Sequence, residues 1–584
     1  MLDGIEDVVD DVLGGVGAFH PKNHTTSVNI RAVPAPGHNR GNRRSTGERE
    51  RLANDGGWTR RDVLALIGRS AGAGAMYGAM SSLGFAAEST YRGPPRLEGA
   101  PKGTSVLVLG AGIAGLVAAY ELRNAGYKVK VLEYNARAGG RCWTLRGGDT
   151  YTELGGATQK CEFDRGLYLN PGPWRIPYNH HGILDYCHRL GVALEPFVQV
   201  NYNAYLHSPQ AFGGKPRRYR EIKADFEGHV AELLRKATDS AALDASLTKE
   251  DTERLREALR AWGGLDRQGR YRKSFFSNRN RGFPSDPGGT FAPDMEFAEP
   301  DALPALLQSG LWRNLGVGSE YDYQSAIFQP VGGMDRIAEA FRQRVGTLIQ
   351  YNAKVVEIRQ DDRGVTVSHV DRVKGGTPRT TRADYCVCTI PLSILSQIPM
   401  NVGAAMSDAI GAVPYEAGVK VGLQFKRRFW EQNERIYGGI TYTDLPIDRI
   451  SYPSCDYGKP GKGVLLGAYI FGPRAYEFTA MDPADRVKRT VEMGATIHPQ
   501  YNAEFENGIA VGWHRVPWVH GCFANWGFDG EHRLRRAHYK NLCAIDGRIV
   551  LAGEHASKIP AWQEGAVLSS LDAIGRLHQR IVAA

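Results

Sequence analysis

Gly110-Ala-Gly112-Ile-Ala-Gly115 lies between the apolar run Ser105-Val-Leu-Val-Leu109 and a helical pattern that runs from Leu116 to Leu122. A strand that turns on glycines into a helix points backbone N–H groups and the positive end of the helix at one place, where a pyrophosphate can bind. Glu133 ends a second predicted strand and is placed to bind ribose hydroxyls. This order of strand, helix, strand and acid predicts a βαβ dinucleotide-binding unit, with contacts from Gly110, Gly112, Ile113, Ala114, Gly115 and Glu133.

A second glycine-rich turn, Arg137-Ala-Gly139-Gly140-Arg141, follows soon after Glu133. Its glycines let the backbone approach a second phosphate, and its arginines can neutralise that phosphate. Nicotinamide-dependent enzymes rarely need such a second clamp. The stretch resembles the FAD-binding segment of the flavin amine oxidase superfamily, and this resemblance implies FAD as the cofactor. The segment Glu153-Leu-Gly155-Gly156-Ala157 is included in the resemblance, so we expect Gly155, Gly156 and Ala157 at the cofactor.

The C-terminal part of the chain extends the resemblance. Gly547 to His555, followed by Pro560-Ala-Trp-Gln-Glu-Gly565, is similar to the closing motif of the same family. The resemblance implies that Gly553 and Glu554 reach the ribityl-phosphate chain and that a helix beginning near Trp562 and Gln563 faces the isoalloxazine ring. It also implies that the backbone of Val355 holds the adenine side. The match runs from about residue 103 to the end of the chain.

Within the superfamily, the chain is most similar to bacterial L-amino acid oxidases, because Gly172-Pro-Trp174-Arg175-Ile-Pro177 resembles their segment that binds the substrate carboxylate. A planar guanidinium makes that bidentate contact better than lysine. By the same resemblance, Tyr469 donates to the carboxylate, and Lys420 holds a water at the flavin. The carbonyl of Ala561 receives the amine, and Trp562 closes the pocket. Each of these residues, taken alone, is common in proteins without any such role. The prediction of an L-amino acid oxidase rests on their occurring together within matching local sequence.

Cys522 marks a departure from this pattern. The segment Trp518 to Trp526 resembles the stretch in which some monoamine oxidases bind FAD covalently through a cysteine, whereas L-amino acid oxidases usually hold FAD without a covalent bond. We favour a packed free thiol near the flavin. The eight cysteines form no CxxC pair and no metal-ligand spacing with histidine, so neither a disulfide framework nor a zinc site is indicated.

Length and motif order predict an α/β protein with two interleaved domains, because 584 residues are too many for one core. The expected architecture is a Rossmann-like FAD-binding domain of the GR2 type, interleaved with an α+β substrate domain that carries a helical insertion. The expected segments are 103–160, 325–390 and 540–584 for the FAD-binding domain, and 161–324 and 391–539 for the substrate domain, with the insertion at 215–282.

The net charge of +9 is unevenly distributed, since the stretch from Lys215 to Arg281 holds 17 basic and 11 acidic residues. Helical stripes that include Leu233 and Trp262 are expected in this insertion. A positive rim could steer anionic substrates, although a solvated charged face is the more common explanation. The basic residues are not interleaved with aromatic residues in a recognisable nucleic-acid motif, so no nucleic-acid partner is expected.

The N-terminal region resembles a twin-arginine export signal. Arg60 and Arg61 precede a Gly/Ala-rich stretch, 70–87, without acidic residues. We expect a signal over 59–87, a disordered leader over 1–58 and export to the periplasm or beyond; an unused leader would leave the protein cytoplasmic. Glycines and Arg69 make 64–87 a poor membrane span, so no stable anchor is expected.

The resemblance implies oxidative deamination of an L-amino acid by dioxygen to a 2-oxo acid, ammonia and hydrogen peroxide, with the protein supplying orientation and the cofactor the hard chemistry. Two alternatives share the fold: a flavin monooxygenase acting on tryptophan or phenylalanine, and a monoamine or polyamine oxidase. The substrate side chain is not readable from the motifs, and a homodimer is left open.

Overall fold

The structure is a computed structural model that describes residues 91–239, 247–526 and 533–584. These residues belong to one compact unit. The expected leader, 1–58, and the expected signal, 59–87, lie outside the described residues.

The strands are short in most of the chain and long in two antiparallel regions. In chain order they are β1 (Ser105–Leu109), β2 (Lys128–Leu132), β3 (Leu145–Arg146), β4 (Thr150–Thr152), β5 (Thr158–Lys160), β6 (Tyr168–Leu169), β7 (Ile176–Pro177), β8 (Leu194–Pro196), β9 (Tyr205–His207), β10 (Arg217–Arg218), β11 (Ile327–Pro330), β12 (Ile349–Gln350), β13 (Ala353–Asp361), β14 (Gly364–Asp371), β15 (Gly375–Ala383), β16 (Tyr385–Cys388), β17 (Tyr415–Glu416), β18 (Gly418–Phe425), β19 (Ile440–Thr443), β20 (Arg449–Ser451), β21 (Gly463–Phe471), β22 (Phe505–Gly512), β23 (Phe523–Ala524), β24 (Ile545–Asp546) and β25 (Ile549–Leu551).

The α-helices of the described residues are α1 (Ile113–Asn124), α2 (His181–Leu190), α3 (Tyr219–Asp239), α4 (Lys249–Gly263), α5 (Phe275–Arg281), α6 (Leu303–Ser309), α7 (Asp335–Val345), α8 (Leu392–Leu395), α9 (Ala404–Gly411), α10 (Phe429–Gln432), α11 (Pro473–Ala480), α12 (Pro483–Ala495), α13 (Tyr501–Glu504), α14 (Arg533–Cys543) and α15 (Gln563–Val582). Single 3₁₀ turns lie at Phe212–Gly214, Leu311–Asn314, Val317–Ser319, Tyr321–Tyr323, Gly346–Leu348, Trp513–Arg515 and Glu554–Ala556. In this part of the chain, no helix is long and apolar enough to cross a bilayer.

A six-stranded sheet in the order β12-β2-β1-β16-β25-β24 forms the first layer. Its strands are parallel except for the edge strand β24. β1 and β16 are apolar and buried almost throughout, as expected for parallel strands covered on both faces. α1 connects β1 to β2 and is buried from Ile113 to Ala119, so the predicted βαβ unit is present. An antiparallel sheet, β13-β14-β15, follows β12 along the chain.

A seven-stranded sheet in the order β10-β9-β19-β20-β21-β18-β22 forms the second large layer. β18 lies between β21 and β22, and Lys420 on β18 is directly opposite Tyr469 on β21. Residues that are opposite each other on neighbouring strands share one face of a sheet. The side chains of Lys420 and Tyr469 therefore point to the same side, which is where the cavity described below lies. The remaining described pairings are β7-β11-β8, β3-β6, β4-β5 and β17-β23.

The six-stranded sheet uses only segments expected for the FAD-binding domain, and the seven-stranded sheet only segments expected for the substrate domain. The domain limits themselves stay a prediction. The expected insertion, 215–282, is helical, with α3 packing against α4 through a small core of Ala231, Leu259, Leu265 and Tyr271. Leu233 and Trp262, expected on apolar helical stripes, are exposed by 52% and 45%.

Candidate cofactor and substrate site

One long cavity lies at the carboxyl ends of β1, β2 and β16 and continues to the face of β21, with an empty volume of ≈ 1770 Å³ that includes its open mouth. Ligands of open α/β sheets bind at this edge. Sixteen of the residues expected at the site line the cavity, namely Gly110, Gly112, Ile113, Ala114, Glu133, Gly139, Gly140, Arg141, Arg175, Val355, Tyr469, Gly553, Glu554, Ala561, Trp562 and Gln563.

The first glycine-rich turn is shaped for a phosphate. Gly110 has a φ of +100°, which favours glycine, and Gly112 is the N-cap residue of α1. A Cβ on Gly112 would meet nothing within 4 Å, so open space faces this backbone and the start of α1. Gly115 has a different role, since a Cβ there would overlap the carbonyl oxygen of Gly110. Gly115 therefore permits close packing of strand and helix and does not line the cavity.

The second turn, 137–141, packs onto the first. The N–H of Gly139 donates to the carbonyl of Ala111 at 2.7 Å, and a Cβ on Gly140 would come within 3.3 Å of the Gly112 Cα. Arg137 lies behind this turn rather than in the cavity: its Nη1 donates to the carbonyl of Gly140 at 2.9 Å, and its guanidinium stacks 4.6 Å from the Trp143 ring. Arg137 thus rigidifies the turn.

Glu554 binds three different segments at the floor of the cavity. Its carboxylate pairs with Arg141 Nη1 at 2.7 Å and accepts the N–H of Ala524 at 3.2 Å and that of Ala561 at 3.1 Å. Burial alone would raise the pKa of Glu554, but Arg141 outweighs this effect and the pKa lies below its usual value. Glu554 is therefore a carboxylate that holds the second turn against the segment before α15.

The opposite end of the cavity is built around Glu133. One carboxylate oxygen accepts the N–H of Ala111 at 2.6 Å and the other accepts that of Asn135 at 2.8 Å. Next to it, the rings of Tyr134 and Trp518 stack with centroids 4.7 Å apart, and both residues line the cavity together with Val355. At this end of the cavity, the flat rings of Tyr134 and Trp518 lie beside the carboxylate of Glu133.

Gly155, Gly156 and Ala157 do not line the cavity. They form the exposed turn between β4 and β5, where Gly155 and Gly156 have φ values of +96° and +92°. Tight hairpin turns select glycine for the same conformational reason as phosphate turns. The structure therefore gives these glycines a role in the hairpin, and their contact with the cofactor stays a prediction. The neighbouring Glu153 forms a buried bidentate pair with Arg486, at 2.8 Å for each oxygen, rather than reaching the cavity.

Arg175 is buried, with 8% of its surface exposed, and lines the cavity. Its guanidinium carbon lies 4.5, 4.6 and 5.6 Å from the rings of Trp174, Tyr323 and Trp562. Nη2 donates to the Tyr323 hydroxyl at 2.8 Å, and Nε has no hydrogen-bond partner among the described residues. A buried charge without a counter-ion is costly, so this guanidinium is poised for an anionic ligand.

Two acids near Arg175 do not neutralise it. Asp322 accepts instead from Asn179 Nδ2 at 2.8 Å, and Glu320 forms no ion pair within 4.0 Å among the described residues. Burial raises the pKa of both carboxyls, and the charge of Arg175 only partly opposes this. The Tyr321–Tyr323 turn that carries Tyr323 was not found by motif analysis, because it contains no recognisable pattern.

Lys420 lies behind the cavity wall, is 1% exposed and does not line the cavity. Nζ donates to the carbonyl oxygens of Gly172 at 2.5 Å and Asn170 at 3.3 Å, and it lies 4.4 Å from the ring centres of both Trp174 and Tyr469. Burial lowers the pKa of Lys420 well below its usual value, and the charges of Arg175 and Arg449 lower it further.

Ala561 and Trp562 form the wall at the start of α15. Ala561 has a φ of +69°, a conformation that is strained for a residue with a Cβ, and its N–H is held by Glu554. In the first turn of α15, Glu564 accepts the N–H groups of Gly182 at 2.9 Å and Ile183 at 2.8 Å, so it caps α2.

Cys522 lines the cavity as a free thiol, and burial raises its pKa to about 11. Its carbonyl oxygen accepts from Arg141 Nη1 at 2.8 Å. In the described part of the chain, no group of three or more His, Cys, Asp or Glu side chains can hold a metal.

The shape and donors of the cavity fit FAD. Open space faces Gly112 and the start of α1, where a helix N-terminus can bind a pyrophosphate. The Glu133 end has an acid and flat rings that suit ribose and adenine, and the Glu554 end continues into the chamber around Trp174. A single continuous cavity joins the two ends.

Comparison with known proteins agrees with this geometry. The chain is 29% identical to an L-amino acid oxidase of Bothrops pictus and 27% identical to the L-amino acid oxidase Bs29 of Bothriechis schlegelii, over 80% of this chain and 89% of each relative. It is also 28% identical, over 80% of its length and 93% of the relative, to YobN of Bacillus subtilis, whose assignment as an L-amino-acid oxidase is itself provisional.

Solved structures of putrescine oxidase variants have the same fold, with a TM-score of 0.51 and 17% identity over 83% of this chain and 100% of that chain in one case. The model of the family "Flavin containing amine oxidoreductase" matches residues 113–576. The predicted α/β fold class, the FAD cofactor and an oxidoreductase acting on CH–NH2 groups are thereby confirmed. This chain is a member of the flavin-containing amine oxidoreductase family.

Proposed function

We propose that the protein is an L-amino acid oxidase, which converts an L-amino acid, water and dioxygen to a 2-oxo acid, ammonia and hydrogen peroxide. The observation that carries the proposal is the buried guanidinium of Arg175, which faces the cavity without a carboxylate partner among the described residues. A carboxylate forms short, charge-assisted hydrogen bonds to such a fork. Relatives named as L-amino acid oxidases support the same substrate class.

The chain's own residues orient the substrate, while FAD, when bound, supplies the two-electron oxidation. Arg175 and Tyr469 hold the α-carboxylate, and the carbonyl of Ala561 receives the amine. Trp562 and Trp174 exclude water on two sides. As the family resemblance implies, Lys420 would hold a water near the flavin; two of the Nζ donors are used by the carbonyl oxygens of Gly172 and Asn170, and the third would bind the water.

A monoamine or polyamine oxidase would have no use for an unpaired guanidinium, because its substrate carries no anionic group and the buried charge would stay uncompensated. A monooxygenase acting on an amino acid would use the same contact but would release carbon dioxide and an amide. The unpaired Arg175 therefore distinguishes an amino acid oxidase from an amine oxidase. The reaction products distinguish an oxidase from a monooxygenase.

The test is to incubate purified holoenzyme with the twenty L-amino acids and with their decarboxylated amines, and to measure peroxide, 2-oxo acid and carbon dioxide. Peroxide and oxo acid in equal amounts from amino acids support the proposal. Replacing Arg175 by Gln removes about 1.5–3 kcal/mol of binding, which is roughly a 10- to 150-fold loss in kcat/KM for amino acids. Efficient oxidation of amines, unaffected by Arg175→Gln, would refute it.

Export through a twin-arginine route and assembly as a homodimer stay predictions. A fusion of residues 1–100 to a reporter, tested with Arg60→Lys and Arg61→Lys together, checks the first. Light scattering of the holoenzyme checks the second.

A further inference from the structure

A second guanidinium, that of Arg449 on β20, also lines the cavity. Its Nε donates to Asp448 at 2.8 Å, whereas its two terminal amino groups make no hydrogen bond to any described residue. The side chain is 29% exposed, and the residue lines the cavity. The outer edge of this fork is therefore free to bind a ligand.

Aromatic rings fix the position of this fork. The Arg449 guanidinium carbon lies 5.5 Å from the ring centre of Tyr469, 5.8 Å from that of Phe471 and 6.0 Å from that of Tyr442. Contacts of this kind stabilise a cation over a ring face and also keep water away from it. A guanidinium held in this way is pre-organised, so a ligand binding to it loses little side-chain entropy.

Arg175 and Arg449 act on the same chamber. Trp174 packs 4.5 Å from the guanidinium of Arg175, and its ring lies 4.9 Å from the ring of Tyr469. The Tyr469 ring in turn lies 5.5 Å from the guanidinium of Arg449. Asp448 pairs with Nε of Arg449 and not with its terminal amino groups. The chamber thus presents two guanidinium groups. Among the described residues, Asp448 is the one carboxylate that pairs with either of them within 4.0 Å, and it pairs with Arg449.

On the basis of the proposed function, we infer that Arg449 binds a carboxylate on the substrate side chain, so that acidic L-amino acids are the preferred substrates. Arg175 then holds the α-carboxylate and Arg449 the distal one. A dicarboxylic substrate compensates both cations, whereas a lysine or arginine side chain would be repelled by Arg449. A neutral amide also reaches the fork, but its hydrogen bonds are about half as strong as those of a carboxylate.

The experiment compares each acid with its nearly isosteric amide: L-glutamate with L-glutamine, and L-aspartate with L-asparagine. In wild-type holoenzyme, kcat/KM for at least one acid is expected to exceed that of its amide by about tenfold or more, equivalent to about 1.4 kcal/mol. Arg449→Gln should lower this acid-to-amide ratio about tenfold. Arg449→Lys, which keeps the charge but loses the fork, should give an intermediate ratio.

Arg359→Gln is the matched control, because Arg359 lies on β13 outside the cavity and its Nε also pairs with a nearby acid, Glu357, at 2.8 Å. This variant should leave the ratio unchanged. A second readout does not depend on turnover: glutarate, a dicarboxylate without an amine, should raise the Tm of wild-type holoenzyme and should raise that of Arg449→Gln less.

The outcomes separate this inference from the proposed function. Oxidation of neutral or basic amino acids to oxo acid and peroxide, with no preference for acids, overturns the role of Arg449 and leaves the oxidase assignment intact. The same holds for a preference for acids that Arg449→Gln and Arg449→Lys do not change. Failure to oxidise any amino acid overturns both.

Discussion

The Tyr323 hydroxyl accepts a 2.8 Å hydrogen bond from Nη2 of Arg175, and its ring covers the same guanidinium at 4.6 Å. Tyr323 thus connects a short turn, far away in sequence, to the group that is proposed to bind the substrate. Tyr323→Phe removes the hydroxyl but keeps the ring. The Arg175 guanidinium would then lose the hydrogen bond that orients it and keep its stacking contact with the ring. We expect KM for the amino acid to rise about 2- to 10-fold with a smaller change in kcat, as for one hydrogen bond of about 0.5–1.5 kcal/mol.

Tyr321→Phe is the control for this variant. Tyr321 lies in the same turn, but its ring packs 5.7 Å from Tyr178 and not on Arg175. Equal changes in KM for the two variants would contradict a specific role for Tyr323.

Replacing Gly112 and replacing Gly115, the two glycines at the start of α1, should have different effects: the first on FAD binding and the second on the stability of the fold. Gly112→Ala places its methyl in open space, so the apoprotein should fold with a nearly unchanged Tm but bind FAD weakly. Gly115→Ala overlaps the carbonyl of Gly110 and lies close to Thr389, so it should destabilise the fold by about 1–3 kcal/mol. The flavin-to-protein absorbance ratio and the Tm of the apoprotein distinguish them. Full flavin content in Gly112→Ala would mean that no phosphate lies at that turn.

The buried Lys420 makes stability depend on pH with a definite sign. Between its depressed pKa and the usual value of 10.5, the folded state binds fewer protons at Nζ than the unfolded state. Stability therefore rises with pH in this window, by up to about 1.4 kcal/mol per pH unit from this group. Lys420→Met lacks the titrating group, so the Tm difference between wild type and variant should shift in favour of wild type from pH 8 to pH 10. Parallel Tm curves would show that Nζ stays charged inside the protein.

Cys522 is expected to hold no covalent bond to the flavin. Its thiol is a weak nucleophile, because burial raises the pKa to about 11. Acid precipitation of the holoenzyme should leave all yellow colour in the supernatant, and Cys522→Ser should retain its flavin. Colour that stays with the pellet in wild type but not in Cys522→Ser would establish a covalent bond instead.

The parts of the site that could be predicted from sequence are those built by consecutive residues. The run from Gly110 to Gly115 specifies strand, turn and helix within a few residues, because each glycine has a local reason to be there. Glu554 and Ala561 could be found for a similar reason, since one short segment carries both. Such motifs can be recognised in the sequence because their geometry depends on the residues next to them in the chain.

Gly155 and Gly156 show the limit of the same reasoning. A hairpin turn and a phosphate turn need the same positive φ, and only the tertiary structure decides which one the chain forms. Tyr323 and Arg449 could not be found at all, because nothing near them in sequence marks them. The position of Arg449 depends on which strands pair in the seven-stranded sheet, and that of Tyr323 depends on where the turn before β11 meets the cavity.

Glu564 couples parts of the molecule that are distant in sequence. Its carboxylate belongs to the C-terminal helix that carries Trp562, yet it holds the first turn of the helix that follows Arg175. This one carboxylate therefore ties the helix after Arg175 to the helix that begins beside Trp562, and it joins the two sides of the cavity from behind. In the proposed function those two sides hold the carboxylate and the amine of the substrate, so the spacing between them would depend on a residue that does not itself line the cavity.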